Sequence, residues 1–142
     1  MNSLDRGFTL IELIAVMILV GILSVTLFSR LGSVGIAPIQ SGRDDLIAAL
    51  FFAQQTAMMR PGITLAITAN TISVRENNNP IVVSSDHYPL VMPKGVTLSP
   101  VILTYDKLGR TTATNITLTG SGNSSGVSAG VRVEASGYAF AN

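Results

Sequence analysis

The apolar positions of this chain fall into three regimes. Between Phe8 and Ser29 nearly every residue is apolar and the only charge is Glu12. Such a run predicts one helix about 33 Å long, enough to cross a bilayer core. In "DDLIAALFFAQQTAMMR", Leu46, Ala49, Leu50, Ala53 and Ala57 follow the spacing of one buried helical face. Asp44 and Asp45 suit the positive end of that helix and Arg60 the negative end, and Arg60-Pro61-Gly62 stops it. Phe51 and Phe52 are both expected to cover a sheet. From Ile63 onward the period shortens to two.

Between the two helical regimes, Gly32, Gly35 and Pro38 each disfavour helix, and Pro38 biases Ala37 away from helical angles. A kink or melted stretch is expected over 31–41, with Ser41 or Asp44 capping the restarted helix. Beyond Gly62, "ITLAIT" and "TISVRE" form a hairpin candidate, "ENNNP" a turn and "IVVSS" a short strand. The proline-rich "YPLVMPKGVTLSP" predicts edge strand and loop. "VILTYDKLGR" reads as a strand running into a turn from Asp106 to Gly109, and "NITLTG", "GVRVEA" and "YAFAN" complete the set. Seven or eight short strands with a helix on one side predict an α+β chain. Its long N-terminal helix has a transmembrane half and an amphipathic half, the latter packed on an antiparallel sheet or β-sandwich. The expected divisions are 1–7, 8–30, 31–60 and 61–142.

Composition narrows the chemistry. The net charge is +1, charged residues are 12%, there are no cysteines and His87 is the one histidine. Thiol chemistry, disulfides and cysteine- or histidine-rich metal sites are excluded. Asp86-His87-Tyr88 resembles a hydrolase fragment, but no nucleophile elbow accompanies it, and it reads as a surface turn. Asn77-Asn78-Asn79 lacks the carboxylates of a calcium site, and Asp44-Asp45 is explained by the helix start. Arg132 and Glu134 read as a solvated pair on one strand face. The tract 119–130, "TGSGNSSGVSAG", reads as a flexible loop of small residues. Arg75, Lys94, Lys107, Arg110 and Arg132 are spread out rather than clustered, so nucleic acid is not an expected partner. No catalytic residue, metal or cofactor is expected.

Glu12 is the anomaly. A carboxylate near the bilayer centre costs roughly 2.5 to 3.5 kcal/mol, so a plain membrane anchor leaves it unexplained. A cleaved secretory signal fits poorly, because the leader "MNSLDRG" carries Asp5 beside Arg6 and the apolar run is too long.

The stretch "GFTLIELIAVMILVGIL" resembles the N-terminus of type IV prepilins and of type II secretion pseudopilins. That resemblance implies cleavage by prepilin peptidase between Gly7 and Phe8 and methylation of the new N-terminal Phe8. It implies that Glu12, fifth in the mature chain, is a docking device: an incoming subunit's N-terminal amine sits against Glu12 of a neighbour, or against its own. Such a pair sets register more than it adds net stability. The implied partners are the peptidase, major and minor pilins and an inner-membrane assembly platform. The implied location is the bacterial inner membrane, with the C-terminal domain in the periplasm, and then the filament. "YDKLGR" followed by "VRVEASGYAF" is similar to FimT-like minor pilins and H-type minor pseudopilins. Some members of that group are implicated in DNA uptake, for which Lys107 and Arg110 are the only phosphate contacts on offer. The helix-breaking proline of type IV pilins usually lies nearer the membrane segment than Pro38. Many pilins also carry a C-terminal cysteine pair, so this chain is expected to hold its C-terminal end by strand pairing alone.

Overall fold

The computed structural model describes residues 9–31, 35–82 and 88–142, without the side chains of 25–31. The chain divides into two compact units, with the second running from Val34 to Asn142. The first unit contains α1, Leu10–Leu31. Thr9 caps it: the Glu12 N–H donates to the Thr9 carbonyl at 3.0 Å and faces Thr9 Oγ1 at 3.4 Å. Every described side chain of α1, from Leu10 to Ser24, is exposed.

The second unit begins with α2, Ala37–Met59. This helix starts earlier than the Ser41 or Asp44 cap expected from sequence. Pro38 stands in its first turn, where the missing N–H costs nothing and the fixed φ favours helix. Ser41 and Asp44 therefore lie inside it. Gly35 falls in the turn that precedes α2, while Gly32 lies outside the described residues. The Arg60 N–H closes the far end on the Thr56 carbonyl at 2.8 Å.

The strands follow in order: β1 Ile63–Ile67, β2 Thr71–Glu76, β3 Asn79–Pro80, β4 Leu90–Val91, β5 Val96–Leu98 and β6 Val101–Thr104. After them come β7 Thr114–Gly120, a 3-10 turn Gly122–Ser124, β8 Ser128–Val133 and β9 Ala139–Ala141. They form two antiparallel sheets. One runs β3-β2-β1-β6, with β4 on the other half of β2; the other runs β5-β7-β8-β9. The β1–β2 hairpin pairs Ile63 with Glu76 and Ile67 with Ile72. Asn77 and Asn78 turn β2 into β3 with φ of 49° and 70°, the left-handed pair that suits a tight hairpin.

Two expectations are corrected here. "IVVSS" is not a strand where it is described: β3 ends at Pro80, the Ile81 N–H adds one bond to the Val74 carbonyl at 2.8 Å, and the chain is irregular at Ile81 and Val82. The small-residue tract 119–130 is a built turn rather than a loose loop. Its ends belong to β7 and β8, Ser124 is buried, and the Gly120 N–H donates to the Val127 carbonyl at 2.9 Å. Glycine makes this possible, since a Cβ on Gly120 would run into the Ser124 backbone.

The buried cluster lies between α2 and the sheets. Leu46, Ala49, Leu50, Ala53 and Ala57 are all buried, as the period predicts, facing Leu65, Val74, Ile116, Leu118 and Val131. Phe52 stacks on Tyr88 with centroids 5.1 Å apart, but Phe51 is 56% exposed. A helix turns about 100° per residue, so adjacent phenylalanines cannot both face the sheet.

The C-terminal end is held by more than strand pairing. Gln54 Nε2 donates to the Ser136 carbonyl at 3.0 Å and the Gly109 carbonyl at 3.3 Å, tying two turns to α2. Gly137 (φ 85°) sits so close that a Cβ would meet the Gly109 oxygen and the Gln54 amide. Gly126 has a similar φ of 81° but open space around it. Gly126→Ala should therefore cost about 1 kcal/mol of left-handed strain. Gly137→Ala should cost a further 1 to 3 kcal/mol from overpacking, on the order of other tight sites. Urea midpoints of the two variants check this; equal midpoints would mean the turns can move apart freely.

Candidate functional site

The sequence places its chemistry at the head of α1. Gly7 and Phe8 lie outside the described residues. Glu12 is described, in the first turn of α1, and its side chain is exposed. A carboxylate there complements the positive end of the helix. Among the described residues the Glu12 carboxylate has no ion pair and no hydrogen bond, since only its backbone N–H is engaged. Around it stand Leu10, Ile11, Leu13 and Ile14, between 48% and 76% exposed. The head of α1 is thus an apolar helical surface with one uncommitted anion, suited to a cationic group delivered by something that covers the apolar surface.

Thr9 was not singled out from sequence, yet the signal was present. "TLIE" has the Thr-x-x-Glu spacing of a capping box ahead of an apolar run. Only half of that box forms, with the Thr9 hydroxyl facing the Glu12 N–H. No helix among the described residues is long and apolar enough to cross a membrane.

The other residues weighed for chemistry are held apart or already paired. Asp86 and His87 lie outside the described residues, and Tyr88 is packed against Phe52. Arg132 Nε meets Glu134 at 2.6 Å, and Arg60 meets Glu76 at 3.3 Å. Arg75 Nε donates to Ser73 Oγ at 3.2 Å. Arg110 Nε donates to Asp106 Oδ2 at 2.8 Å, so the cation weighed for phosphate contact is committed to its own turn. The described residues contain no group of three or more acidic or histidine side chains that could hold a metal ion. Tyr105 is buried with its hydroxyl unpaired, and burial pushes that phenol up to about 12.

Residues 2–28 match the prokaryotic N-terminal methylation motif. No curated protein and no solved structure is significantly similar to the chain. The match supports an N-terminus processed in the manner of a type IV pilin-like prepilin. It spans Gly7, Phe8, Thr9 and Glu12 together, along with most of α1.

The Asp106 turn gives a pH prediction. The Arg110 N–H, the Arg110 guanidinium and the Leu108 N–H all donate to its carboxylate and hold it below the usual range. The folded value is depressed, so the contribution is complete above about pH 4 and fades as pH falls below that. A carbon-detected NMR titration should place the Asp106 midpoint below that of an unstructured aspartate. A midpoint at or above it would contradict the geometry.

Proposed function

We propose that this chain is a minor pilin or pseudopilin-like subunit of a type IV pilus or related filament. The observation that carries the proposal is the methylation-motif match over 2–28, combined with an exposed, unpaired Glu12 in an exposed apolar helix. On this reading the segment 8–29 crosses the inner membrane, with Arg6 on the cytoplasmic side and the β domain in the periplasm. Prepilin peptidase cuts between Gly7 and Phe8 and methylates Phe8. The subunit then leaves the bilayer, its apolar helix packs into the filament core, and Glu12 receives an N-terminal amine, fixing the stagger between subunits.

Within the family, the YDKLGR turn and the terminal hairpin favour the FimT-like and H-type group. Within that group we compare it with the C-type minor pilin of the mannose-sensitive haemagglutinin pilus. The corresponding role is initiation or capping of assembly with the major pilin and other minor pilins at the inner-membrane platform. A DNA-uptake role draws no support from the basic residues: Arg110 is occupied by Asp106, and Lys107 stands beside it without a second free cation in the turn.

Intact mass of the protein extracted from membranes, with and without active prepilin peptidase, tests the reading. The expected species begins at Phe8 and carries one added methyl group, and only with the peptidase. Glu12→Ala should still be cleaved but should fail to enter filaments. An uncut chain starting at Met1 beside active peptidase would instead indicate an anchored periplasmic binding module.

A further inference from the structure

An open cleft of about 410 Å³ lies where α2 begins. Pro38, Lys94, Gly95, Ser121, Gly122 and Ser124 line it. Three features converge on it. First, α2 starts with no capping side chain and no acidic residue in its first turn, so its end N–H groups and positive dipole are uncompensated. Second, Lys94 is exposed and has no ion pair among the described residues.

Third, Ser124 is only 3% exposed, and its hydroxyl makes no hydrogen bond among the described residues. The Tyr105 hydroxyl is the one described side-chain group both sealed from solvent and unpaired. The unpaired Ser124 hydroxyl is therefore open, and the cleft is the surface that Ser124 lines. A buried serine with an open hydroxyl shares this cleft with a lysine and with Pro38 at an uncapped helix start, a setting without an anion of its own.

The floor of the cleft is rigidly placed. The Ser121 N–H donates to the Gly95 carbonyl at 2.7 Å, and the Ser124 N–H to the Ser121 carbonyl at 3.2 Å. Gly35 packs so tightly on Asn123 that a Cβ would strike its carbonyl oxygen. The backbone around Ser124 is thus held in place before any ligand arrives.

We infer that this cleft binds a phosphate group, with Lys94 supplying the charge, the Ser124 hydroxyl one hydrogen bond and the start of α2 the field that favours an anion. The phosphate has two sources of the same chemistry: free inorganic phosphate, or the headgroup of a phospholipid. Pro38 comes a few residues after the end of α1 at Leu31, which makes the headgroup available if α1 is membrane-inserted. The free-phosphate arm does not depend on that insertion.

The test is an amide NMR titration of the full chain in maltoside micelles, which contain no phosphate, with inorganic phosphate exchanged for chloride at constant ionic strength. Saturable shifts at Lys94, Gly122 and Ser124, with a Kd on the order of 1 mM, are the expected result. Lys94→Gln should weaken binding about tenfold or more, and Ser124→Ala should weaken it as well. Lys107→Gln, which alters an exposed lysine elsewhere, should leave it unchanged. A parallel spectrum in phosphatidylglycerol nanodiscs separates the sources. Displacement of the same amides there, with no response to added phosphate, assigns the site to the headgroup; a response to free phosphate in both media assigns it to the ion. No shift in either medium, or identical shifts in Lys94→Gln and the wild type, would overturn the inference.

Discussion

The folded part of this chain depends on one stripe of α2 meeting two separate sheets. Leu46, Ala49, Leu50, Ala53 and Ala57 are buried to 2% or less, and strands of both sheets lie against the helix that carries them. Small residues alternate with leucines along that stripe. The alanines let the sheets come close while the leucines fill the space between strands. At Gly42 the approach is closest to the second sheet, with Leu118, Met92 and Val96 each 3.5 Å from where a Cβ would stand. Without α2 neither sheet has a cover for its inner face. Among the described residues the cluster is drawn from Ile39 onward.

The two helices therefore answer to different surroundings. α2 shows an apolar stripe and a polar remainder, as a helix with its own sheets must. α1 is apolar on every described face except at Glu12, so its sequence makes sense only if something else covers it. Pilin assembly is the cover we propose, first lipid and then sister helices. Glu12 costs too much to be tolerated in hydrocarbon without a partner. Among the described residues its carboxylate has no partner, which suits the assembly we propose.

What could be read from the sequence follows physical range. The 3.6-residue period of α2, the Ala69-Asn70 hairpin and the Asp106 to Gly109 turn are local signals, and each is where it was expected. The methylation motif is also local, which is why Gly7, Phe8 and Glu12 could be named without a fold. The two-residue strand β3 could not be found, because two residues carry no period and pair only because β2 is there to receive them, whereas β4 falls in the proline-rich stretch read as edge strand and loop. Phe51 was misplaced because two adjacent bulky residues look alike until the helix phase is known. Pro38 was read as a breaker because its position within the first turn of a helix was not visible before the start was. The phosphate cleft joins Pro38, Lys94 and Ser124, which only the tertiary fold brings together.

Gln54 carries a last consequence. One amide on α2 fastens the turns at Gly109 and Ser136, and the Asn142 N–H closes the chain end on the Gly130 carbonyl at 3.0 Å. A cysteine pair would need an oxidising compartment to finish such a region, and this chain has no cysteine. Here closure uses only hydrogen bonds that form as the chain packs, so maturation is indifferent to redox potential. This region can complete its fold under reducing conditions as readily as under oxidising ones.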